Sequence, residues 1–108
     1  MQKYIQVITT GPRADMDSIA RELVEERLAA CVQVAGPVHS TYRWKGKIEE
    51  AQEFMAIVKT SQELYPRVEE AIRRLHSYEV PEILAVPVTA GNPGYLAWLD
   101  AELSKHHD

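Results

Sequence analysis

The chain has 108 residues, of which 45% are hydrophobic and 26% charged. That length fits a single domain, 1–108, and excludes a separate cofactor lobe, while the ordinary apolar fraction and a net charge of −4 exclude disorder. Sixteen acidic residues against twelve basic ones, with no basic block beyond Arg73-Arg74, exclude a nucleic-acid surface.

A lone cysteine, Cys31, excludes an intrachain disulfide framework and any multi-cysteine metal centre. The opening residues carry too short an apolar run for a signal segment. No stretch approaches the roughly 20 apolar residues of a membrane span. The expectation is a cytoplasmic protein with neither a membrane nor a nucleic-acid partner.

Residues 3–10 read as a strand, broken by Gly11-Pro12. From Asp15 the period becomes helical, with Met16, Ile19, Ala20, Leu23, Val24 and Leu28 on one stripe. Asp15 or Asp17 caps this helix, which ends near Ala30. Residues 32–44 alternate, placing Val32, Val34, Val38, Tyr42 and Trp44 on one face and Gln33, His39, Thr41 and Arg43 on the other. Gly36-Pro37 marks a bulge or bend, which leaves the register open. Lys45-Gly46 turns the chain into a second long strand, 47–60, whose Glu49, Glu50 and Glu53 read as a solvated face. Thr60 to Glu63 resembles a capping box, and a helix follows with Leu64, Val68, Ala71, Ile72 and Leu75 inward and Pro66 in its first turn. Residues 76–82 connect to a buried-looking strand, Ile83 to Val88. A loop at 91–94 leads to a short helix, Tyr95 to Leu103, with Tyr95 and Trp98 as a core-facing pair.

The order β-α-β-β-α-β plus a short C-terminal helix is the α+β, ferredoxin-like arrangement: an antiparallel sheet with two helices on one face. Its central hairpin is long. Strands average about five to six residues, and each of these reaches about twice that. At about 3.3 Å per residue, a strand of about 12 residues spans about 40 Å and overhangs its own helices. The overhanging tip carries Tyr42 and Trp44, and exposed aromatics need cover. A second copy of the chain supplies it most economically, so the sequence predicts a homo-oligomer.

Chemistry-bearing residues are few. There is no phosphate loop and no nucleophile elbow. Cys31 follows a helix C-terminus, where the dipole repels a thiolate, and reads as structural. His76, just beyond the second helix, has Glu79 and Glu82 nearby. An imidazole with two carboxylates suits a borderline divalent cation, whereas a lone histidine at a helix C-terminus equally suits the dipole. Glu79 and Glu82 flank Pro81, without visible convergence for acid–base work. His106-His107 has the residues of a surface chelate, but a polar, frayed tail gives them no preorganised geometry.

Five stretches together resemble the CutA divalent-cation tolerance family: Leu28 to Val32, Ser40 to Glu49, Val58 to Thr60, Tyr78 to Ile83, and Tyr95 to Leu99. The resemblance covers nearly the whole chain. It implies a ferredoxin-like fold, a homotrimer joined through long hairpins as in PII signalling proteins, copper or another divalent cation as ligand, and no enzymatic activity. The copper ligands attributed to bacterial members are a cysteine in the first strand and a histidine pair before Tyr-x-x-Pro-Glu. This chain has Thr9 at the first position and Leu75-His76 at the second, so the soft thiolate and one imidazole are missing.

The reading is therefore a non-enzymatic homotrimer of divalent-cation tolerance, binding metal weakly through His76, Glu79 and Glu82, with no obligatory cofactor. The alternative is a PII-like sensor holding a small molecule in subunit clefts, with Lys59, Tyr78, Glu79 and Glu82 as candidate liners; Tyr42 and Trp44, with Lys59 and Tyr78, are the cleft or interface residues. An enzyme ranks last, for want of a nucleophile and base in one constellation.

Overall fold

The computed structural model describes residues 4–104; the His106-His107 pair lies outside them. Alternation of Ile5, Val7 and Thr9 with Gln6, Ile8 and Thr10 sets strand β1, Tyr4–Gly11. Helix α1 is Arg13–Glu25, β2 is Cys31–Trp44 and β3 is Lys47–Ser61. A 3-10 turn, Gln62–Leu64, leads into α2, Tyr65–Leu75; β4, Ile83–Pro87, and α3, Pro93–Glu102, complete the order. The strands pair antiparallel in the order β2-β3-β1-β4, which is the ferredoxin-like arrangement.

One face of the sheet carries Ile5, Val7, Thr9, Ala56 and Val58, all buried against Met16, Ile19 and Leu23 of α1 and Val68 and Ile72 of α2. This is the core. Leu99 and Leu103 add the inner side of α3.

Helix α1 stops at Glu25, five residues before the expected end. Arg27 takes a left-handed φ of 57°, and the N–H groups of Arg27 and Leu28 bond back to the carbonyls of Val24 and Leu23. That is a Schellman stop, with Leu28 buried beneath it. Its helical spacing is real, but it reports the hydrophobic contact of the cap rather than another turn. Neither Asp15 nor Asp17 caps α1. Pro12 holds the N-cap position, and the Asp15 carboxylate reaches across to Ser77. Ser61, not Thr60, caps the following turn by accepting from the Leu64 N–H. Pro66 falls in the first turn of α2, where no helical N–H is lost.

The hairpin turns on Lys45 (φ 51°) and Gly46 (φ 80°), a left-handed pair matched to the twist of the strands. Beyond Glu53 its strands have only each other as partners, and residues 41–50 are all exposed. The radius of gyration is accordingly 14.5 Å, against about 13 Å for a compact chain of this size.

Gly36 and Pro37 together oppose the single residue Phe54, between the pairs Ala35–Met55 and Val38–Glu53. One extra residue flips the phase of the strand. Val32 and Val34 pair with Val58 and Ala56 on the helix face, whereas Val38, Ser40, Tyr42 and Trp44 join Glu53 on the opposite face. The single face expected for Val32 through Trp44 is thereby corrected. Gly36 is required there: its φ is 150°, and a Cβ would lie 2.8 Å from the Phe54 ring.

Two further expectations change. The strand 83–88 is not buried within this chain: Leu84 is 58% exposed on the face away from the helices. Tyr95 and Trp98 do pair, with ring centroids 5.5 Å apart, but both are exposed rather than core-facing.

Candidate functional site

The bulge, β1 and the segment after α2 meet at the root of the overhanging hairpin. They enclose an open cavity of about 600 Å³ lined by Thr10, Ser40, Thr41, Tyr42, Trp44, Glu53, Tyr78, Glu79, Val80 and Glu82. Each lining group is placed by a local cause. The phase flip turns Ser40, Tyr42 and Trp44 toward it. Alternation along β3 brings Glu53 to the same side. The segment 76–82 is folded back by His76 and Asp15.

His76 is the clasp. It is buried, its Nε2 lies 2.8 Å from the Thr10 carbonyl, and its Nδ1 lies 3.1 Å from the Tyr78 backbone nitrogen. A backbone N–H donates only to an unprotonated ring nitrogen, so the tautomer with its proton on Nε2 satisfies both bonds. The ring lies against Gly11, where a Cβ would stand 2.7 Å from Cε1 and 2.8 Å from Nε2. Asp15 adds bonds from the Ser77 N–H and hydroxyl at 2.8 and 2.6 Å. Partial burial pushes the Asp15 carboxyl up, but the two Ser77 bonds outweigh it and hold the group below its ordinary range.

Tyr78 then reaches over the pocket and donates its hydroxyl to Glu53 Oε2 at 2.8 Å. Burial, followed by the bond to Glu53 and its charge, pushes the Tyr78 phenol up to about 12. A phenol raised above its unfolded value of 10 favours the fold fully below pH 10 and loses that contribution as pH rises to about 12. Tyr78→Phe should remove this alkaline slope in denaturant titrations. At neutral pH it should cost about 1–2 kcal/mol, because Glu53 loses its donor.

The structure thus gathers Tyr42, Trp44, Tyr78, Glu79 and Glu82 around one cavity. It separates Lys59, which donates to Gln33 at 2.8 Å and does not line the pocket. His76 stands behind the wall with both nitrogens engaged. Glu82 accepts from the Thr10 hydroxyl at 3.3 Å. Among the described residues, no three His, Cys, Asp or Glu side chains converge to hold a metal ion. Thr9 is fully buried in the helix-facing layer, with no partner for its hydroxyl among the described residues. Cys31 is partly buried at the start of β2, paired with Lys59, and His39 is exposed beside Glu50. Sequence reasoning missed Glu53. It is only 6% exposed, and its register partner Val38 was the available signal once the bulge was counted.

These features define a small ferredoxin-like protein with an acidic, aromatic pocket at the root of a projecting hairpin. None of the described helices is long and apolar enough to cross a membrane. The chain belongs to the CutA1 divalent ion tolerance family, whose model matches residues 4–102. It is 46% identical over 94 residues to the divalent-cation tolerance protein CutA of Thermus thermophilus, covering 86% of this chain and 91% of that one. It is 51% identical over 81 residues to the mouse protein CutA, covering 75% of this chain but only 46% of the longer mouse protein. The solved Thermus thermophilus structure superposes with a TM-score of 0.89 at 42% identity, over 96% of this chain and all of that one. Family members are named for tolerance and not for a reaction.

Proposed function

We propose that the chain is a non-enzymatic homotrimer of the cytoplasm that serves divalent-cation tolerance and meets copper or a similar cation weakly, through carboxylates. The observation that carries the assembly is the open sheet face. Ile8, Met55 and Ile57 lie there, only partly buried, beside the exposed Leu84 and Val86, on the side of the sheet away from α1 and α2. Monomers rarely leave such a surface to water. The number three comes from the family resemblance.

For the metal, Glu79 and Glu82 are the groups with free access to the pocket. His76 would have to break two hydrogen bonds to coordinate. Sedimentation should give three times the subunit mass, and a monomer mass would overturn the assembly. Calorimetric titration with Cu²⁺ and Zn²⁺ should show weak binding that falls in Glu79→Gln/Glu82→Gln. Unchanged binding in that variant would remove the carboxylates.

The cavity favours a second reading, a sensor that holds a small molecule in this pocket. Its volume falls within the range of small-molecule sites, about 300–1,000 Å³.

A further inference from the structure

The chemistry of the pocket restricts what the sensor reading allows. Three carboxylates line the cavity, from Glu53, Glu79 and Glu82, and no Lys, Arg or His does. Glu53 is the informative one. It is nine-tenths buried, it accepts from the neutral Tyr78 hydroxyl, and no cationic side chain among the described residues pairs with it. Buried charges are ordinarily paired, because desolvation costs more than one neutral hydrogen bond returns. The missing partner is a positive charge that arrives from outside.

That charge does not suit a bare metal ion. Magnesium and calcium demand about six to eight oxygens at about 2.0–2.6 Å, whereas among the described residues no three ligating side chains converge, and the cation proposed above is placed at Glu79 and Glu82 rather than at Glu53. The carboxylates are instead distributed around a space large enough for a molecule, together with the rings of Tyr42, Trp44 and Tyr78. Aromatic faces attract ammonium and guanidinium groups through their quadrupoles, tryptophan most strongly. Lys45 already shows the affinity: its Nζ stands 5.8 Å from the Trp44 ring centroid, although Lys45 does not line the cavity.

We propose, resting on the sensor reading of this pocket, that its ligand is a small organic cation: an ammonium or guanidinium head paired with Glu53 on an apolar body against Trp44 and Tyr42. Glu79 and Glu82 take a second positive charge where the ligand has one. Anionic ligands are excluded by the same three carboxylates.

The test uses the assembled protein carrying Trp98→Phe, which leaves Trp44 as the sole tryptophan. Its emission is titrated with agmatine and tetramethylammonium, and in parallel with uncharged butylurea, ATP and Zn²⁺. Both organic cations should saturate the signal while butylurea and ATP leave it unchanged. Glu53→Gln keeps an acceptor for Tyr78, so it should weaken agmatine at least about tenfold without altering the sedimenting mass. Glu82→Gln should weaken agmatine more than tetramethylammonium, since only agmatine carries a second charge. No response to either cation at about 10 mM overturns the proposal. If ATP or Zn²⁺ binds and the organic cations do not, the pocket is a ligand site but the ligand class is wrong. If none of the five probes binds, the sensor reading falls with it. A changed mass in Glu53→Gln would mean that Glu53 meets a neighbouring subunit, and the proposal fails.

Discussion

His76→Ala should destabilise the chain by about 3–5 kcal/mol, measured by denaturant unfolding at fixed protein concentration. Two effects add. The substitution empties a buried ring-sized space, and it strands the Thr10 carbonyl and the Tyr78 N–H without partners. The complementary change, Gly11→Ala, should cost about 1–3 kcal/mol, because its methyl would enter the space of the His76 ring. The two are predicted to be strongly non-additive. In the double variant the alanine methyl occupies room that the missing imidazole has vacated, so the combined cost should fall below the sum. Simple additivity would show that His76 and Gly11 do not share this contact. A second consequence concerns the pocket. With the clasp gone, Tyr78 is no longer held over Glu53, so His76→Ala should also abolish the alkaline slope assigned to Tyr78.

Leu84→Glu should convert the assembly into monomers. Leu84 pairs with Ile8 across β1 and β4, and both point away from the helices. The side chain is 58% exposed in the single chain, so its own core does not require it. In an assembly that covers this sheet face, an unpaired carboxylate there costs about 3–5 kcal/mol per contact. The expected result is a fall in sedimenting mass with unchanged far-UV circular dichroism. Val24→Glu is the control: Val24 is also an exposed apolar residue, but it lies on α1, away from the sheet face. It should leave the mass unchanged. A Leu84→Glu protein with the same mass as the parent would place the subunit contacts elsewhere.

Part of the site was visible in the residues alone. Tyr42, Trp44, Tyr78, Glu79 and Glu82 stand together because they flank a hairpin tip and a loop that the element order brings to the same end of the sheet. Glu53 and Lys59 were misjudged for different reasons. Glu53 is placed at the pocket only once the bulge at Gly36-Pro37 is counted and Val38 becomes its partner. Lys59 shares that face but lies farther along β3, opposite Cys31 and bonded to Gln33 rather than at the hairpin root. His76 was seen as a ligand because an imidazole near two glutamates has the right chemistry. Whether its nitrogens are free depends on a carbonyl 66 residues earlier in the chain.

Legible in the residues alone were the order of elements, the long hairpin with its Lys45-Gly46 turn, Pro66 in the first turn of α2, and the lack of a nucleophile–base motif. Local rules govern all of these: side-chain period, capping, and the φ limits of proline and glycine. Contacts between distant segments settled the rest: where α1 stops, which face Tyr42 and Trp44 share with Glu53, and that His76 locks a loop with both nitrogens. The structure also showed that Leu84 and Val86 of β4 and Tyr95 and Trp98 of α3 lie uncovered in this chain. Hydrophobic patterning reports that a face avoids water, not which surface covers it. That surface can be the chain's own helices or another molecule, and the two leave the same pattern in the sequence.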